Sequence, residues 1–460
     1  MEIGDDDGRT RTGTLWTATA HAVTAILGSG VLALPWSVAQ LGWALGPVVL
    51  IAFAFVTYYT AILLSDCYRY PGPLTGRRNY TYIDVVRSYL RESDVLVCGF
   101  VQYALLWGTM IGYTITAAMS MISLKYTSCY RDKGSLAECG AAPGNTFMII
   151  FGAMEIILSQ FPNLEKIAVL SVVASATSFA YSFIGLYLCA QFLISNHEIR
   201  GSLFGEEIGA NGISSPSKVW HEFQALGNIA FAYTYSMLLI EIQDTIKSPP
   251  SENKTMKKAS VYGIGITTLF YASVGCVGYA AFGNKAPGNI LTGFYQPFWL
   301  VLIAHLSLII HLAGAYQVFA QPIFAIHEKW LSSIWPSASF FHKSYTVRLP
   351  FTKARSLQFR LSKLLFRTAF VILSTFIAMM FPFFNAIVGL LGSIAFWPLT
   401  IYFPVSMHIA QVKIKRGSCK WMALQTLSMF SLLVTIVGAI GSAIDIVENL
   451  KQAKLFKFVM

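Results

Sequence analysis

Residues 25 to 36 read AILGSGVLALPW, and the fold turns on how they are read. They lie inside the first long apolar run, yet Gly28-Ser29-Gly30 and then Pro35 are the residues least suited to an unbroken helix. Two readings stay open here: a packing glycine pair followed by a proline kink, or a break. In hydrocarbon an unpaired backbone amide is costly, so non-helical backbone at mid-membrane persists only where it lines a cavity or meets protein or ligand partners. A break here frees amides and carbonyls, and the half-helix that begins after Gly30 turns its positive dipole end toward it, which suits a carboxylate.

The rest of the chain says what surrounds that helix. Of 460 residues, 55% are hydrophobic and 12% charged, and the mean hydropathy of +0.57 lies far outside the range of soluble domains. An all-α polytopic membrane protein is predicted. The first 14 residues lack the arrangement of a cleaved signal, and the run that follows is too long for a signal core, so the first span is expected to be retained. Apolar runs of about 20 residues predict eleven spans, at 15–40, 43–66, 95–124, 146–162, 167–194, 223–246, 261–282, 297–326, 364–383, 385–410 and 421–447. Only FPFFN, residues 381–385, separates the ninth from the tenth, which reads as a tight hairpin.

Charge placement orients the chain. With a cytoplasmic N-terminus, 24 of the 33 Lys and Arg fall on the inner side and 9 on the outer, as the positive-inside rule requires. The net charge of +11 is then a topology signal and calls for no nucleic acid. The basic loop HKSYTVRLPFTKARSLQFRLSK, residues 342–363, reads as a solvated topology signal or as a surface for anionic membrane lipid. Of the seven cysteines only Cys129 and Cys139 fall in an outer loop, where they are expected to pair. Both glycosylation sequons, at Asn79 and Asn253, fall in inner loops and are expected to stay unmodified.

Catalytic signatures are nearly absent: there is no GK[ST] phosphate loop, no HExxH and no GxSxG. The SxxK match from Ser215 to Lys218 lies in a polar outer loop and reads as chance. No enzyme, no metal and no cofactor is expected. Gly42/Gly46 and Gly108/Gly112 have the small-residue spacing of close helix packing, here within the chain.

The sixth span carries the second irregularity. ALGNIAFAYTYSMLLIEIQDTIKSPP, residues 225–250, places a polar and aromatic cluster, Phe231 to Ser236, at mid-depth. An aromatic run at helical spacing is ordinarily core. A fold of two inverted five-helix repeats, however, brings spans one and six together at the midplane with both broken at the substrate, and two irregular segments five spans apart match it. The predicted organisation is an inner tail at 1–14, a first repeat at 15–194, an outer loop at 195–222, a second repeat at 223–410, and an eleventh helix with an outer C-terminus at 411–460.

GSGVLALPW (28–36), IAFAYTYSMLLIEIQDTIKSPP (229–250), LSQFPNLEK (158–166) and IHLAGAYQVFAQPIF (310–324) resemble the plant amino acid permeases. These belong to the amino acid/auxin permease family within the amino acid/polyamine/organocation superfamily. The likeness runs from about residue 10 onward, and EIQDT and GAYQV are specific to it. It implies a LeuT-like 5+5 core of eleven spans with broken helices 1 and 6, and proton-driven import of amino acids across the plasma membrane. Two positions depart from it: SLAW is common where this chain has Ala33-Leu34-Pro35-Trp36, and Gln is usual near Glu155.

On this reading, amides around Gly28, Ser29 and Gly30 hold the substrate carboxylate and carbonyls near Ala230, Phe231 and Ala232 hold the ammonium. Phe231 and Tyr233 shape the side-chain pocket, and Tyr113 and Thr116, on one face of span three, could complete it. Tyr103 and Trp107 read as core. His21 shares a helical face with Ala25, Gly28 and Ser29, roughly 10 Å to the cytoplasmic side of the break; it exchanges a proton or bonds a backbone carbonyl. His311, in span eight, relays protons or braces the bundle, and is favoured over His305. Glu241 and Asp244, with Lys247 one turn beyond, form an inner gate or a solvated helix end. Glu155 receives no role. The alternatives are an auxin carrier of the same family, which needs no ammonium partner, and a transport-inactive amino acid sensor.

Overall fold

The computed structural model describes residues 10–160, 164–209, 214–335, 340, 343–348 and 356–452. Outside these lie the inner tail before residue 10, residues 161–163 of the LSQFPNLEK motif, 210–213 of the outer loop, 336–339 and 341, residues 342 and 349–355 of the basic loop, and the tail from 453. Among the described residues, nine helices are long and apolar enough to cross a membrane, and Gly144–Ser159 is a shorter apolar one. The chain is a polytopic helical membrane protein, and it packs as two compact units.

The first unit comprises, among the described residues, those within Met1–Leu105, Ser178–Ala304 and Phe383–Gln452. Thr14 starts α1 (Leu15–Ile26) with a reciprocal cap, its hydroxyl taking the Thr17 amide while the Thr17 hydroxyl takes the Thr14 amide. After a 3-10 turn at Ser29–Ala33, α2 runs from Leu34 to Asp66. The predicted gap between the first two spans is here a bend inside α2, at Gly42 with φ of 73°, a backbone conformation open to glycine. A hairpin of β1 (Arg69–Tyr70) and β2 (Arg77–Arg78) leads to α3 (Tyr82–Tyr89) and α4 (Glu92–Lys133). α5 (Gly144–Ser159) and α6 (Leu164–Asn196) follow, then α7 (Ser215–Tyr233), α8 (Ser236–Asp244) and α9 (Glu252–Phe282).

The chain continues through α10 (Phe298–Ile334), the β3 (Ser344–Arg348) and β4 (Ser356–Arg360) hairpin, and α11 (Leu361–Met380). The last helices are α12 (Phe384–Ala395), a π-helical stretch at Phe396–Tyr402, α13 (Phe403–Val412) and α14 (Cys419–Gln452). The predicted tenth span therefore widens at its middle, at FWPLTIY with Pro398 inside, a kind of turn frequent at functional sites. α7 crosses α12 backbone to backbone, since a Cβ on Gly227 or Gly392 would run into main-chain atoms of the other helix.

The second unit comprises Leu106–Thr177 and His305–Pro382 among the described residues. The half-buried Trp107 packs at a tilt on Phe370 with ring centroids 4.3 Å apart, and Phe370 meets Phe324 edge-on at 5.3 Å. A disulfide joins Cys129, near the end of α4, to Cys139 in the connection to α5.

Candidate functional site

Both irregular segments are broken in the structure, and the breaks meet. α1 stops at Ile26; Leu27 turns to ψ of 76°, and the Gly28 amide folds back onto the Ile26 carbonyl at 2.9 Å. Helix resumes as the 3-10 turn at Ser29, and the α-helix proper only at Leu34, later than the sequence suggested, because Pro35 fits the first turn of a helix, where an amide has no intrahelical acceptor. By the same geometry the Ser29 and Gly30 amides open the 3-10 turn and have no acceptor within it.

α7 ends at Tyr233, Thr234 turns to ψ of 78°, and α8 restarts at Ser236. No proline lies at this break; there the Thr234 hydroxyl donates to the Ala230 carbonyl at 2.7 Å and the Thr234 amide to the Phe231 carbonyl, which supplies donors to carbonyls left over at the end of α7. A Cβ on Gly30 would stand 3.2 Å from the Phe231 ring and 3.3 Å from Ala232 Cα, so one break packs directly on the other. A Cβ on Gly28 would meet nothing within 4 Å among the described residues, so the break is open on that side.

The carbonyls expected to hold an ammonium each already accept one hydrogen bond. Ala230 O takes the Thr234 hydroxyl, Phe231 O the Thr234 amide at 3.1 Å, and Ala232 O the Tyr271 hydroxyl at 3.3 Å. Each keeps a second lone pair. Tyr271, from α9, stands between the breaks, because its hydroxyl also lies 2.5 Å from the Ile26 carbonyl oxygen. Its ring packs edge-on against Tyr233 at 5.4 Å, and Tyr233 reaches Thr268 Oγ1 at 3.3 Å. The sequence reading missed Tyr271: one tyrosine in an apolar span carries no signal that its hydroxyl will serve two other helices.

The other expected residues are placed as follows. His21 is exposed, off the buried stripe of α1 that runs through Ala18, Ala22, Val23 and Ile26; Ala25, on its face, is half-buried. Tyr113 and Thr116 are buried on α4 in the second unit, Tyr113 edge-on to Phe319 at 5.8 Å and Thr116 bonded within its own helix to the Gly112 carbonyl at 2.7 Å. His311 is buried there too, its Nδ1 lying 2.7 Å from the Ala174 carbonyl oxygen; a carbonyl only accepts, so the ring carries its proton on Nδ1.

At the end of α8, Glu241 is exposed and Asp244 is half-buried and paired. Its partner is Arg11, at 3.0 Å, rather than Lys247. Arg11 Nε also donates to the Asp244 carbonyl at 2.7 Å, and the Tyr68 hydroxyl to Asp244 Oδ1 at 2.6 Å. Burial pushes the Tyr68 phenol above its ordinary value, and the bond to Asp244 adds to this, so Tyr68 stays a donor. Gly13 pairs with the same corner, its amide on the Thr245 carbonyl at 2.8 Å and its carbonyl taking the Lys247 amide at 2.9 Å. The N-terminal tail is thus strapped across the end of α8, a contact 233 residues long in sequence that no local pattern encodes.

The family model described as transmembrane amino acid transporter protein matches residues 11–448. Amino acid permease 8 of Arabidopsis thaliana is 50% identical over 457 residues, 98% of this chain and 95% of the relative. Amino acid permease 4 of the same plant is 50% identical over 456 residues, covering 98% and 97%. The crystal structure of MhsT in complex with L-phenylalanine is only weakly alike, with a TM-score of 0.48 and 11% identity over 95% of this chain and 100% of that one.

Proposed function

This chain belongs to the transmembrane amino acid transporter protein family, a family of transporters rather than enzymes, and on that premise we propose that it imports amino acids into the cytosol with a proton. The paired breaks carry the reading. A zwitterion needs donors for its carboxylate and acceptors for its ammonium within one small site. The Ser29 and Gly30 amides supply the first, and the spare lone pairs at Ala230 and Ala232 the second. Phe231 and Tyr233 shape the space for the side chain, while Tyr113, Thr116, His21 and His311 remain candidates for binding and proton exchange. The Arg11–Asp244–Tyr68 cluster closes the inner end of the first unit and opens for release, as alternating access requires.

The N-terminus is cytoplasmic and the membrane is the plasma membrane in this reading. The concentration of Lys and Arg on the inner segments, 24 of 33, supports that orientation. Purified protein in liposomes tests the function. Labelled amino acid accumulates when an inward pH gradient is imposed, with or without sodium; accumulation that ignores the pH gradient overturns proton coupling. Indole acetate competing where alanine and glutamate do not would favour an auxin carrier, and binding without counterflow would favour a sensor.

A further inference from the structure

We propose that Glu155 and Gln317 form a proton-binding site in the second unit that loads and empties in each transport cycle, an inference that rests on the proton-coupled reading above. Glu155 lies on α5, a helix otherwise free of ionisable residues, and none of its surface is exposed. Gln317 Nε2 donates to Glu155 Oε2 at 2.6 Å and lies 3.2 Å from the Glu155 carbonyl oxygen. The other carboxyl oxygen, Glu155 Oε1, and the Gln317 carbonyl oxygen are both buried without a hydrogen-bond partner.

Two neighbouring buried acceptors with no donor between them make an arrangement that lacks one hydrogen. A single proton on the carboxyl supplies it, because a carboxylic acid both donates and accepts and matches a primary amide on both counts. The alternative, a bare carboxylate, requires a compensating cation in a buried site. Among the described residues none is available to Glu155. Arg367 of α11 is taken by Glu328 at 3.0 Å and by the Ser159 carbonyl at 2.7 Å, and Lys363 by Glu328. On α10, His311 is held at the Ala174 carbonyl and the Tyr316 hydroxyl at Ser374 Oγ, 2.8 Å away. A metal cation needs a fuller shell of oxygens than this pair offers. The step is a proton transfer alone: an O–H bond forms at Glu155 with a proton taken from outer water and breaks when that proton returns to inner water, with nothing oxidised or reduced.

The test is wild type against Glu155→Gln in liposomes, with the internal pH and the labelled amino acid followed together. In the variant the proton entering with each amino acid is lost and the gradient drives accumulation at least tenfold less, while counterflow exchange continues. A wild type without proton entry would overturn the proposed function; a coupled wild type with an equally coupled Glu155→Gln would overturn only this inference. Should Glu155→Gln not fold, Gln317→Leu keeps the carboxyl and removes its partner. A displaced pH profile of uptake supports the site, and a profile lowered by one factor at every pH overturns it.

Discussion

The hydroxyl of Tyr271 lies 2.5 Å from the carbonyl oxygen of Ile26, the last residue of α1. The same oxygen is 3.3 Å from the Ala232 carbonyl, near the end of α7. One hydroxyl carries one hydrogen, so it donates to one carbonyl at a time. A substrate ammonium placed at Ala232 would therefore leave Tyr271 bonded to Ile26, and the two broken helices stay joined through it whether or not the site is filled.

Tyr271→Phe removes that link without changing the ring. The Ile26 carbonyl keeps the Gly28 amide as a donor and loses one hydrogen bond, worth about 0.5–1.5 kcal/mol, so the variant unfolds at lower temperature and its uptake falls by up to about tenfold. Thermal unfolding followed beside initial uptake rates checks both; an unchanged rate would show that the hydroxyl is idle in the cycle.

Gly30→Val places branched bulk where even a Cβ stands 3.2 Å from the Phe231 ring. Overpacking of this kind costs about 1–3 kcal/mol, and here it falls on the substrate contact as well. Surface delivery is expected to persist and transport to drop at least tenfold. Normal transport by a correctly delivered variant would remove the amides at Ser29 and Gly30 from the site.

Arg11→Ala and Asp244→Asn each release the N-terminal strap. The Gly13 and Lys247 amides, now paired across it, should exchange with solvent hydrogen faster in either variant. The double variant should add little to the single ones, with an interaction energy of about 0.5–3 kcal/mol. Strictly additive effects would mean that the pair does not act as one latch.

Glycan mapping tests the orientation. In a eukaryotic membrane the native chain should show no glycan, whereas Lys133→Asn, which completes a sequon with Gly134 and Ser135 on the exposed α4–α5 connection, should gain one. A shift on the native chain that disappears with Asn79→Gln would invert the topology.

Of this fold, the helices, their order and the existence of two irregular spans could be read from residues alone. Glycine, proline and apolar run length act locally, so GSGVLALP announces its own break whatever surrounds it. The second break was visible only as a cluster, since nothing local sets Thr234 apart: Thr116 makes the same bond to the carbonyl four residues back, also at 2.7 Å, inside an unbroken helix. The bend at Gly42 replaced an expected gap because a left-handed glycine can turn the chain without a loop.

Partners were another matter. Asp244 was identified as a charge at a helix end, but Lys247, its neighbour in sequence, is not its partner; Arg11 is, from 233 residues away. Glu155 carried no reading until Gln317 was seen against it with an oxygen of each left bare. The sequence determined a membrane-spanning chain with a break in its first helix, because those depend on composition and local backbone preference. Which side chains face one another across the breaks was decided by the tertiary structure, because hydrogen bonds act only within about 3 Å and distance along the chain says little about distance in space.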